Sequence, residues 1–324
     1  MKTFSKLLGG AVLALVLVAA GGFLWATTTA ESQLAAEYET HHFGMAISWP
    51  LSPEEVEALG EHEGGAADEA ALERALERGR HLVSARYGCS ECHGADFGGG
   101  VMIDDPAMGR LFGPNLTLGE GSVTRDFTAT DWDRTVRHGV RRDGRPSLMP
   151  CEDFFAMSDR ELSDLVSFIR SLPPVDRTMP ESSLGPVGKV MVATGKFRLS
   201  ATLLADHDAP HALEAPPPAV TPEFGAHLAQ VCSGCHRQGF EGGPIAQGPP
   251  DWAPATNLTP HEEGLAGYTF EQFEKVMREG TKPNGEHVAA PMTVVTPYAA
   301  RMTDTEMQAL WLFISTLEPR PTGR

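Results

Sequence analysis

The sequence predicts an all-α protein: two tandem helical domains behind an N-terminal membrane helix. Three features of its 324 residues lead there. An apolar run lies near the N-terminus, one set of landmarks recurs at a nearly constant offset, and each half closes on a capped amphipathic helix. The expected organisation is a transmembrane anchor or signal segment over 1–30, a linker over 31–74, a first domain over 75–175, a connector over 176–219 and a second domain over 220–324.

Lys2 and Lys6 precede the apolar run, which extends from Leu7 to Ala26 and gives way to Glu31, Glu37 and Glu39. Its length matches the roughly 20 residues that span a bilayer as a helix and exceeds a signal-peptide core of about 7–15. That favours an uncleaved anchor. A cleaved signal is the competing reading, with Thr28 and Ala30 placed before Glu31. The flanking charges orient the segment with its N-terminus in the cytoplasm, so both readings export the rest of the chain. The expected place is a bacterial inner membrane, with the domains on the periplasmic side.

Composition narrows the function classes. A net charge of -17 removes nucleic acid as a partner, since phosphate binding needs clustered Lys and Arg. The 34 Gly and 25 Pro point to loop-rich domains. Of five cysteines, four fall into two CxxC units, Cys89/Cys92 and Cys232/Cys235, leaving Cys151 alone.

The halves align by arithmetic. Cys89 to Cys232, Phe97 to Phe240 and Met149 to Met292 are each 143 residues apart (232 − 89, 240 − 97, 292 − 149), Asn115 to Asn257 is 142, and Ser158 to Thr303 is 145. A period this long means duplicated domains rather than a solenoid. In the first half Leu72, Leu76, Gly79 and Val83 follow helical spacing before Cys89, and Phe224 to Val231 leads into Cys232. Glycine-rich stretches and the turns Gly113-Pro114-Asn115-Leu116-Thr117 and Ala255-Thr256-Asn257-Leu258-Thr259 follow. A middle helix carries Trp132, Val136 and Gly139, or Phe273, Met277 and Gly280. Ser158-Asp159-Arg160-Glu161 and Thr303-Asp304-Thr305-Glu306 are capping boxes that open the closing helices. Pro173 and Pro319 lie just past their ends. The connector carries one helix and a stiff Pro216-Pro217-Pro218 exit.

In Cys89-Ser90-Glu91-Cys92-His93 and Cys232-Ser233-Gly234-Cys235-His236, two thiols one helical turn apart can reach the two vinyl groups of one haem, and the adjacent His93 or His236 lies under its iron. A zinc site would need four ligands per domain. A sixth ligand comes from Met149 and Met292, each 56 residues after its histidine (149 − 93 and 292 − 236) and each read as lying in a proline-flanked loop. Met157 and Met302 also repeat, but sit where a hydrophobic staple against Leu162 and Met307 accounts for them. His41, His42, His207 and His211 read as solvated, and His138, with Glu279 in its place in the second half, as an exposed or satisfied helix residue. Cys151 reads as a small thiol without a catalytic role, and Asn115 and Asn257 as turn caps that could also reach a haem propionate.

The CxxCH units, the Gly-Pro-Asn-Leu-Thr segment, Met149 before Pro150 and the Ser-Asp-x-Glu helix ending in Ser171-Leu172-Pro173 resemble the class I c-type cytochrome domain. It is duplicated here, as in bacterial dihaem cytochromes c and the cytochrome subunits of membrane-bound dehydrogenases. The resemblance covers residues 75–175 and 220–318. It implies helices packed round two covalently attached haem c groups with His/Met iron ligation, which raises the reduction potential relative to bis-His ligation. Dehydrogenase subunits of this kind often carry three haems; this chain has two CxxCH motifs. The expected function is electron transfer without substrate chemistry, between a membrane dehydrogenase or quinol-oxidising complex and an oxidase or soluble cytochrome. The alternative is a dihaem enzyme such as a peroxidase or thiosulfate dehydrogenase, in which one iron opens.

Overall fold

Helix α1 runs over Lys2–Leu34, continuing past the apolar run without a break, and is long and apolar enough to cross a membrane over Gly10–Leu34. A computed structural model of the protein describes residues 2–44, 64–245 and 252–323, so part of the expected linker lies outside the described residues. At its polar end, where Ala26 and Ala30 share a buried face, α1 packs against a connector helix, α6 (Pro186–Ala193), and Glu31 pairs with Lys189 at 2.8 Å. The chain then crosses the first half: Tyr38 N donates to Gly144 O at 2.8 Å and Phe43 N to Thr130 Oγ1 at 3.1 Å.

The first half contains α2 (Gly64–His81), the short α3 over the CxxCH (Cys89–His93), α4 (Ala129–Arg137) and α5 (Asp159–Ser171). The second contains α7 (Pro222–Ala229), α8 (Ser233–His236), α9 (Phe270–Glu279), α10 (Met292–Ala299) and α11 (Asp304–Ser315). Each half has its own apolar core, built round Trp132, Leu162 and Ile169 in one and Phe224, Phe273 and Leu310 in the other. The leading helix crosses the closing helix in both, α2 on α5 and α7 on α11.

Glycine makes these crossings possible. A Cβ on Gly79 would lie 2.0 Å from the Asp164 carbonyl oxygen, and one on Gly225 2.0 Å from that of Ala309. The same closeness corrects the expected face of α2. Ala71 and Ala75 are buried beside Gly79 while Leu72 is exposed, because a tight crossing selects small side chains over large apolar ones.

Gly79 and Gly225 are 146 apart, whereas the cysteines are 143 apart, so the first half holds three more residues between crossing and motif. A π-helical stretch over Leu82–Arg86 occupies this stretch in the first half; a 3-10 turn over Gln230–Cys232 stands before the second motif. Both predicted capping boxes form, Ser158 with Glu161 and Thr303 with Glu306. Thr128 with Asp131 and Thr269 with Gln272 add two that the sequence analysis did not single out.

The molecule is mostly helical, with a small departure from an all-α chain in the first half. Strands β1 (Gly100–Asp105), β2 (Gly109–Gly113) and β3 (Ser183–Leu184) form an antiparallel sheet in that order. Asp105 Oδ1 closes the β1–β2 turn by accepting from Ala107 N and Met108 N at 2.8 and 2.7 Å. With Val101 and Met102 exposed and a register shift between Val101 and Ile103, the hairpin lacks the alternation that marks a strand in sequence. In the second half a bridge from Gly243 to Ala255 stands where the first half pairs Gly100 with Gly113.

Candidate functional site

Both CxxCH histidines are held the same way. His93 is buried and its Nδ1 lies 2.9 Å from Pro114 O; His236 Nδ1 lies 2.7 Å from Thr256 O. Burial pushes both imidazoles below their usual pKa, so they are neutral near pH 7. Only an Nδ1–H can donate to a carbonyl, which fixes the tautomer and leaves each Nε2 lone pair free for a metal.

The accepting carbonyls are themselves fixed, because each precedes a fully buried asparagine. Asn115 Oδ1 accepts from Thr117 N and Oγ1 at 2.9 and 2.8 Å, and its amide donates to Val175 O and Arg177 O at 2.7 and 3.0 Å. Asn257 repeats this with Thr259 N and Oγ1 at 2.9 and 2.7 Å and with Arg320 O at 2.7 Å. These side chains clamp the exit of each half onto the loop that orients its histidine, a role beyond that of a turn cap.

The backbone is shaped round the first motif as well. A Cβ on Gly113, at the end of β2, would meet the Cys92 carbonyl oxygen at 1.9 Å, so only glycine lets the sheet lie this close. Burial pushes the thiols up, Cys89 and Cys232 to about 12 and Cys235 to about 11. They are therefore held as thiols, without the lowered pKa that marks an activated cysteine nucleophile. None of the five cysteines is in a disulfide, and Cys151 is fully buried, its thiol 3.2 Å from Thr135 O.

A cavity in the second half is lined by Cys232, Cys235, His236 and Met292, with Met302 also on its wall. It brings two thiols, one imidazole nitrogen and a thioether together behind apolar walls, a donor set that fits a haem. In the first half Cys89 and Met149 both pack against the core. Met149 lies in a loop as expected, its carbonyl accepting from Cys151 N and Ser200 Oγ, each at 2.9 Å. Met292 does not: it is the first residue of α10. The flanking proline misled, because Pro291 serves as the N-cap of a helix, which also contains Pro297.

The halves meet at these motifs. Tyr87 and Asp153 of the first half line the second-half cavity, and a Cβ on Gly88 would touch the Tyr298 ring at 2.7 Å. Charges lock the contact reciprocally. His81 on α2 lies 2.8 Å from Glu306 of the opposite capping box, His227 on α7 lies 2.9 Å from Glu161, and Arg86 reaches both carboxylates, at 2.6 and 2.8 Å. Burial alone would raise these carboxyls, but His81 and Arg86 hold Glu306 down at about 2, and His227 and Arg86 lower Glu161. Sequence identified both glutamates as caps; it carried no sign of their second partners.

Of the four histidines read as solvated, His42 is exposed, but His41, His207 and His211 are half-buried, because the segment after α1 and the connector both fold over α4. They gather round His138, which is fully buried and hydrogen-bonded, the satisfied one of its two expected states.

Residues 223–318 match the family model described as cytochrome c, and residues 74–169 that of cytochrome c oxidase, cbb3-type, subunit III. The chain is 28% identical over 136 residues to the fructose dehydrogenase cytochrome subunit of Gluconobacter japonicus, covering 40% of this chain and 28% of that protein. It is 29% identical over 125 residues to the gluconate 2-dehydrogenase cytochrome c subunit of Pantoea cypripedii, covering 36% and 28%. A longer match, 24% identical over 276 residues, joins it to the cytochrome c subunit of the quinone alcohol dehydrogenase of Gluconacetobacter polyoxogenes, covering 74% and 56%. The chain thus spans less than a third of the length of the first two relatives.

Proposed function

The chain belongs to the c-type cytochromes, and from that premise we propose that it relays single electrons through two covalently bound haem c groups as a membrane-tethered subunit working with a dehydrogenase. Each bound haem supplies a one-electron iron couple. The residues proposed to hold them are Cys89, Cys92, His93 and Met149 in a domain over 75–175, and Cys232, Cys235, His236 and Met292 in a domain over 220–324. The repeated histidine geometry carries this reading: in both halves Nδ1–H donates to a clamped carbonyl, which turns Nε2 toward the site. Around it the chain's own residues exclude water and hold the two motifs against one another across a locked interface.

The enzyme alternative gains no support, since the relatives are named as cytochrome subunits and a methionine is available on each side. In this reading α1 lies in the inner membrane and both domains face the periplasm. The carrier function is tested by a redox titration of the visible spectrum of the purified protein. Two one-electron components are expected. Replacing Met149 or Met292 by Ala should lower the potential of one component each, within the roughly 0.8 V that axial ligation commands, while Met157→Ala and Met302→Ala leave the ligation unchanged. A resting spectrum with one five-coordinate iron would favour the enzyme instead.

A further inference from the structure

Outside the cavity and the interface, one cluster of side chains has a geometry that hydrogen bonding leaves incomplete. It gathers His41 from the segment after α1, Asp133 from α4, His138 from the end of α4 and His211 from the connector, with one donor atom of each within 4.8 Å of all the others. Asp133 is fully buried, and Arg137 fixes one of its oxygens: Arg137 Nε donates to Asp133 Oδ1 at 2.7 Å, backed by Asp159 at 2.8 Å. The other oxygen, Oδ2, has no hydrogen bond. It faces His41 Nε2 and His138 Nε2, each at 3.4 Å, and His211 Nε2 lies 3.1 Å from His138 Nε2.

Those separations have a scale. Four ligands at about 2.0–2.1 Å from a tetrahedral zinc stand about 3.3 Å from one another. The separations of 3.4, 3.4 and 3.1 Å lie near that edge length. The outer ring nitrogens agree. His41 Nδ1 lies 3.1 Å from His207 O, a carbonyl, so it carries the proton and leaves Nε2 as a lone pair. His207 Nε2 donates to Ala201 O at 3.0 Å, so its Nδ1 is an acceptor, and His138 Nδ1 at 3.0 Å must donate to it. His138 Nε2 is then also a lone pair. Two imidazoles with their far nitrogens committed to acceptors, converging on a carboxylate oxygen without a donor, form the arrangement in which outer partners orient metal ligands.

We propose that His41, His138, His211 and Asp133 form a binding site for a divalent transition metal of the zinc class, separate from both haem sites. Imidazole and carboxylate ligands suit zinc, and the site's ligands come from three segments far apart in sequence. The metal would tie the membrane-proximal chain and the connector to the first domain, fixing that domain relative to α1.

The test uses the intact haem-loaded protein in detergent, stripped with a chelator and titrated with zinc chloride, with zinc counted against iron by elemental analysis. One zinc per two irons is expected. His41→Ala and His211→Ala should each abolish stoichiometric retention, and His207→Ala, which removes only an outer partner, should weaken it roughly 10–100-fold. The visible haem spectrum reports folding in each variant, and His42→Ala, beside the cluster but outside the ligand set, should retain zinc. A wild-type protein that keeps no zinc beyond its irons would overturn the proposal; so would variants that keep it as well as wild type does, which would place the ion elsewhere.

Discussion

The two halves carry the same arginine staple at different depths. In the first, Arg137 joins Asp133, the Met157 carbonyl and Asp159 at 2.7, 3.0 and 2.8 Å and is wholly buried. In the second, Arg278 joins Glu274, the Met302 carbonyl and Asp304 at 2.8, 2.9 and 2.9 Å, with its side chain 23% and that of Asp304 86% exposed. Both ties anchor the chain just before a closing helix. The difference lies in what covers them, since the post-α1 segment lies over the first, with Phe43 stacked on Arg137 at 4.9 Å. Connectivity is repeated; the energy each tie contributes is set by burial.

Breaking the ties should expose that difference. Arg137→Met leaves buried carboxylates unpaired and should destabilise the protein by about 3–5 kcal/mol, whereas Arg278→Met should cost about 1 kcal/mol or less. Chemical denaturation, with the haem spectrum as probe, measures both, and equal losses would mean that burial does not separate the halves.

The interface supplies the next test. The Glu306 carboxyl sits at about 2 against an ordinary value of 4.5. A carboxyl depressed on folding stabilises above its unfolded pKa, and that stability is lost as pH falls through the folded value. The contact between halves should therefore weaken between about pH 4.5 and 2, by an amount on the order of 3 kcal/mol. In Glu306→Gln that acid-dependent part of the stability should shrink, as read by denaturation at stepped pH.

The two helix crossings should respond most alike. Gly79→Ala and Gly225→Ala each push a methyl group into a carbonyl of the closing helix at the same distance, so each should cost about 1–3 kcal/mol. A large inequality in melting temperature between them would break the equivalence of the two crossings.

What was legible in the sequence follows from range. Motif spacing, capping boxes and the N-terminal apolar helix are local, and the closing helices stand where their caps placed them. The exposed face of Leu72 was missed because helical periodicity ranks apolar residues above small ones, while the crossing at Gly79 demands the reverse. Met292 was misplaced because prolines read as loop signals even where one caps a helix. The Asp133 cluster joins residues 41, 133, 138 and 211, and no local pattern marks side chains that meet only when three segments fold together. The extra residues round the π-helical stretch show as an offset, 146 against 143, only once the structure pairs Gly79 with Gly225.

Electron relay through this chain requires that each half hold its own haem through its CxxCH pair. Intact mass analysis of the purified protein tests that directly, on the wild type and on Cys89→Ala/Cys92→Ala and Cys232→Ala/Cys235→Ala. The prediction is a polypeptide heavier by two haem groups in the wild type and by one in each double variant. A wild-type mass matching the bare chain, or the same added mass in all three proteins, would contradict it.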